Sequence, residues 1–65
     1  MKVIYDPETD TLNIILRESE IIESDEIQGG IIVDYDKDGR IVSIEILDAS
    51  EYVDKPESII YELKR

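Results

Sequence analysis

The residues with the most chemical potential lie in one run, Asp34-Tyr35-Asp36-Lys37-Asp38-Gly39, followed by Glu45. Their spacing satisfies D-x-D-x-D-G-x5-E, the pattern of an EF-hand loop, in which alternate carboxylates and a twelfth-position Glu surround calcium. Taken alone it predicts a divalent-cation site at Asp34, Asp36 and Asp38. Its context points elsewhere. An EF-hand needs a helix on each side, whereas Ile31 to Tyr35 and Ile41 to Leu47 are β-branched and alternating, which is strand behaviour. On a strand, Asp34 and Asp36 stand about 7 Å apart, and Glu45 falls across from Ile32. What remains is a weak surface calcium site as one alternative.

Other chemistry is sparse. The chain has no His and no Cys, so it offers no Ser-His or Cys-His pair, no thiolate metal site and no disulfide. Gly29-Gly30 precedes a strand and is no phosphate loop. Carboxylates are plentiful, yet 65 residues leave little room to desolvate an acid–base pair. The expectation is a protein that is not an enzyme and carries no cofactor.

The acidic run must be positioned by a β-hairpin. Asp38-Gly39 between apolar strands marks a tight turn, because both central residues of a type I′ turn need positive φ. A two-residue loop sets Tyr35 against Val42, Val33 against Ile44 and Ile31 against Ile46, with every apolar partner on one face. A three-residue loop would mix Ser43 and Glu45 with Ile31 and Val33, so the spacing predicts the shorter loop. Upstream, Lys2 to Asp6 and Thr11 to Leu16 form a first hairpin about the Asp6-Pro7-Glu8-Thr9-Asp10 turn, with Leu12, Ile14 and Leu16 facing Val3 and Tyr5. Between the hairpins, Ile21 to Ile27 can form a strand whose charges suit an exposed edge. After Leu47, Asp48-Ala49-Ser50-Glu51 has the spacing of a capping box, with Leu47 and Tyr52 placed as a hydrophobic staple, which predicts a short helix ended by Pro56. Ser58 to Lys64 reads either as a strand, with Ile59, Tyr61 and Leu63 on one face, or as a helix. Its β-branched run favours the strand.

Seventeen acidic residues against seven basic give a formal charge of −10, and the basic residues are scattered. Phosphate binding depends on clustered Lys and Arg, so neither nucleic acid nor an anionic membrane is an expected partner. A basic protein would be attracted. No signal peptide or transmembrane run is visible, which predicts a cytoplasmic protein. One domain over residues 1–65, small and without staples, also favours pairing into a homodimer. The side chains left over from the core stripes are Ile4, Ile15, Ile32 and Ile41. With Glu45 they mark a candidate interaction surface that the tail, a second copy or a partner would cover.

Val3-x-Tyr5-Asp6-x-Glu8-x-Asp10-x-Leu12-x-Ile14, Gly30-Ile31-x-Val33-Asp34-Tyr35-Asp36 and the ending Ile44-Glu45-Ile46-Leu47-Asp48-Ala49-Ser50 resemble a family of small prokaryotic proteins, domain of unknown function 2283, over roughly residues 3–50. Asn13 departs from it, standing where the family often has an aromatic. The resemblance implies a compact sheet with a helical segment near its end and no established enzymatic activity. It also implies an antitoxin-like role, since some members lie beside genes for small candidate toxins. The expected architecture is therefore α+β: a small antiparallel sheet of two hairpins plus a short helix near the C-terminus. The expected function is a non-catalytic protein-interaction module that neutralises a basic partner, with calcium binding or a purely structural homo-oligomer as alternatives.

Overall fold

The computed structural model describes all residues, 1–65. Five antiparallel strands form one sheet: β1 (Lys2–Asp6), β2 (Thr11–Ile15), β3 (Glu23–Gln28), β4 (Ile31–Tyr35) and β5 (Ile41–Ile46), in the spatial order β1-β2-β5-β4-β3. Strands β3, β4 and β5 follow one another by short turns. The longer β2–β3 connection then lets β2 lie beside β5, which makes a Greek key.

The alternation of the sequence sets the register. Val3 pairs with Ile14 and Tyr5 with Leu12. Ile14 in turn faces Ile44, and Leu12 faces Ile46. Val33 and Ile31 complete the two rows from β4. Directly opposed residues share a face, so these side chains form one apolar surface. The other face is mixed, with the row Ile4, Asn13, Glu45, Ile32 and Glu26 running across all five strands.

The expected α+β architecture is corrected to mostly β. The only helical feature is a single 3-10 turn at Ala49–Glu51. Asp48 is left-handed (φ 51°) and its side chain caps nothing. The cap comes from the β1–β2 turn instead. The Asp10 carboxylate accepts the Ser50 amide at 3.2 Å and its hydroxyl at 2.6 Å, while the Asp10 carbonyl accepts the Ala49 amide at 2.8 Å. Those bonds hold the chain in a tight turn beside Asp10, so the D-x-x-E spacing never becomes a capping box. Segment 58–64 is corrected too: it is neither strand nor helix.

The central hairpin keeps its register by a different route. Asp36 and Arg40 close a three-residue loop, with the Asp36 amide bonded to the Arg40 carbonyl at 2.9 Å. Gly39 is left-handed (φ 77°) and its amide bonds the Asp36 carbonyl at 3.0 Å. Tyr35 therefore faces Ile41 rather than Val42. A bulge beside it restores Asp34–Ser43, Val33–Ile44 and Ile31–Ile46. The apolar pattern fixed the register, and the extra loop residue was absorbed by the bulge.

The molecule measures 35 × 33 × 18 Å, and only seven residues are buried. One sheet layer cannot cover its own apolar face, so burial is partial along most strands. No helix is long and apolar enough to cross a membrane.

Candidate functional site

The residues singled out for metal chemistry do not form one cage. Asp34 points into the mixed face, where its carboxylate accepts the Ser24 and Ser43 hydroxyls at 2.6 Å each. One residue from each of β3, β4 and β5 thus meets in a clamp. Asp36 lies in the loop. Its Oδ1 accepts the Asp38 and Arg40 amides at 2.9 Å, and its Oδ2 accepts the Arg17 guanidinium at 2.6 Å. Asp38 stays exposed at the tip. No group of three or more acidic side chains is placed to hold a metal ion. The alternation that looked like ligand spacing serves a loop and a cross-strand clamp.

The hydrogen bonds explain the electrostatics. The Arg40 amide, then the Arg17 side chain, hold the Asp36 carboxyl below its ordinary value. Asp10 is likewise lowered, first by the Ser50 hydroxyl and then by the Tyr5 hydroxyl, which donates to it at 2.8 Å. The same bond to Asp10 raises the Tyr5 phenol. Tyr5, Asp10 and Ser50 thus form a second polar hub that ties the turn at residues 49–51 to the first hairpin. The D-A-S ending and the acidic β1–β2 turn were both visible in the sequence. Nothing in their spacing signalled that they would meet across 40 residues.

The candidate interaction residues divide. Ile4 and Ile32 share one row of the mixed face with Glu45, and Ile15 lies in the next row opposite Lys2 and Ser43. Ile41 stands apart, because the bulge sets it across from Tyr35. Asn13 sits between Ile4 and Glu45, and its buried Oδ1 accepts no hydrogen bond from the protein.

The acidic surface lies elsewhere than the hairpin. Asp34 and Asp36 are 5% and 9% exposed and internally bonded, so they present little charge outward. Strand β3 does the opposite. All six of its residues are exposed, it ends the sheet, and it carries Glu23, Asp25 and Glu26. Only Glu26 among these is engaged, through the Gly30 amide at 3.0 Å. The sole ion pair of the chain is Arg17–Asp36, which leaves the remaining acidic charge uncompensated by close cations. The sequence predicts these charges as protection for an edge, and the structure places them as the outward acidic surface of the sheet.

Searches of the curated proteins and of the solved structures return no match. The model of the family described as "Protein of unknown function (DUF2283)" matches residues 2–50, from β1 through the turn that Asp10 caps, and the chain belongs to that family.

Proposed function

We propose that this protein is a small acidic, non-catalytic interaction module that recruits a basic protein segment, in the manner of an antitoxin-like neutraliser. The observation that carries the reading is β3: a fully exposed strand at an open sheet edge, bearing Glu23, Asp25 and Glu26. An open edge offers backbone donors and acceptors to an added strand, and alternate side chains select its sequence. Like charges discourage two such edges from pairing with each other. A basic extended segment satisfies both conditions, gaining ladder hydrogen bonds and opposite-charge pairs. The depressions on the surface are open to solvent, which suits docking better than desolvated acid–base chemistry.

The test uses the full chain as bait in native lysate beside a Glu23→Lys/Asp25→Lys variant. One basic protein recovered at stoichiometric yield by the parent, lost in high salt and absent from the variant, supports the reading. Equal recovery by both baits refutes it.

A further inference from the structure

The opposite edge of the sheet and the end of the chain fit each other. Beyond Pro56, the side chains of Ile59, Ile60, Tyr61 and Leu63 are 68%, 83%, 78% and 72% exposed. Four large apolar groups within five residues, β-branched and aromatic, are strand-forming material left without a strand partner. A turn closed by the Ser58 amide on the Lys55 carbonyl at 2.9 Å precedes them, with Lys55 left-handed (φ 50°). At the same time the outer edge of β1 has no neighbour. It lacks the protection of β3, since its charges, Lys2 and Asp6, stand only at its two ends.

We propose that Ser58 to Glu62 of one copy pairs antiparallel with the outer edge of β1 in a second copy, reciprocally, to make a two-fold strand-exchanged dimer. One register satisfies every position. Ser58 lies opposite Asp6, Ile59 opposite Tyr5, Ile60 opposite Ile4, Tyr61 opposite Val3 and Glu62 opposite Lys2. Val3 and Tyr5 belong to the apolar face through Ile14 and Leu12, so Tyr61 and Ile59 extend that face. Ile60 joins Ile4 on the other face, Glu62 meets Lys2 as an opposite-charge pair at one end, and the Ser58 hydroxyl faces Asp6 at the other. A slip of one residue in either direction separates Glu62 from Lys2 and sets a charged or polar residue against Val3, Tyr5 or the tail's own apolar groups.

β1 is the acceptor rather than β3, because Ile59, Ile60 and Tyr61 meet Tyr5, Ile4 and Val3 on β1, whereas on β3 the same apolar run would lie along Glu23, Asp25 and Glu26. The second copy is the occupant because the tail lies in solvent while its own β1 edge stays open. Exchange closes both β1 edges and covers both tails with one symmetric operation. The proposal concerns β1, so its failure leaves the β3 reading intact.

The chain has no cysteine, which permits a direct test. Ile4→Cys and Ile60→Cys introduced together face each other across the proposed ladder, within the span a disulfide bridges. On mild oxidation of the folded full-length protein, a covalent dimer on a non-reducing gel is expected. A disulfide within one chain, or none, overturns the proposal. Light scattering on Lys2→Glu, on Glu62→Lys and on the two combined supplies the second test. Each single change weakens the dimer about tenfold, since two pairs are affected per dimer, and the combination restores it. Equal affinity in all four proteins overturns the register.

Discussion

Replacing Asp34 by Ala removes the centre of the clamp that joins three strands. Its carboxylate accepts Ser24 and Ser43 at 2.6 Å each. A hydrogen bond to a charged group contributes about 1.5–3 kcal/mol. The two sides are not equivalent. Ser24 is exposed and finds water when its acceptor is lost, whereas Ser43 is 4% exposed and is left with a buried hydroxyl. Deleting the carboxylate also recovers the desolvation it costs, so the net loss is about 2 kcal/mol rather than the sum of two bonds. Against a total of roughly 3–5 kcal/mol for a domain of this size, that is a large fraction. Asp34→Asn keeps one acceptor and the shape, and costs about 1 kcal/mol. Adding Ser43→Ala to Asp34→Ala removes the orphaned hydroxyl, so the double variant is more stable than the two single losses predict by about 1 kcal/mol. Urea unfolding followed by circular dichroism measures the parent, Asp34→Ala, Asp34→Asn, Ser43→Ala and the double variant. An Asp34→Ala loss below about 0.5 kcal/mol, or strict additivity in the cycle, would refute the clamp.

The pH profile follows from the Tyr5–Asp10–Ser50 hub and from Asp36 in the β4–β5 loop. Asp10 and Asp36 are held below their ordinary 3.8, so the stability they confer is present above that value and lost as pH falls through the lowered folded values. The raised Tyr5 phenol contributes stability that is present below 10.0 and lost as pH rises through its folded value. Urea midpoints across pH should therefore fall at both extremes, and Tyr5→Phe should flatten the alkaline arm; an unchanged arm contradicts the Tyr5–Asp10 assignment. The two left-handed glycines should respond unequally to Ala. At Gly30 (φ 83°) a Cβ meets the Leu47 carbonyl oxygen at 3.2 Å, while at Gly39 (φ 77°) nothing lies within 4 Å. Gly39→Ala pays only the backbone cost of about 1 kcal/mol, and Gly30→Ala loses more; equal thermal shifts would show that the Leu47 backbone yields freely.

Local periodicity made much of the sheet legible. Both hairpins follow from alternation about Asp6–Asp10 and Asp36–Arg40, and the pairing of Ile31 and Val33 follows from keeping apolar partners together. The loop is one residue longer than the Asp38-Gly39 spacing predicts, because a type I′ turn is not the only way to use Gly39. The Asp36 carboxylate collects the Asp38 and Arg40 amides and stabilises the longer loop. The helix predicted after Leu47 is replaced by a 3-10 turn because its competitor is remote: Asp10, 40 residues upstream, claims the Ser50 amide and hydroxyl. The pairing of β2 with β5 was likewise invisible, since it joins strands with two others between them in the chain. For the site, spacing exposed the carboxylates at Asp34 and Asp36 but not their burial, which depends on Ser24, Ser43 and Arg17 arriving from other elements. The charges of β3 suit the edge position that the structure gives it, and only its place at the end of the sheet gives it an outward surface.

The most direct test of the acidic-edge reading is an amide chemical-shift titration of the isotope-labelled full chain with a short basic, β-prone peptide. The account predicts shifts concentrated at Glu23 to Gln28 and their pairing partners on β4, abolished by high salt and by Glu23→Lys/Asp25→Lys. Shifts centred on the loop at Asp36 to Arg40, or none along β3, would contradict it.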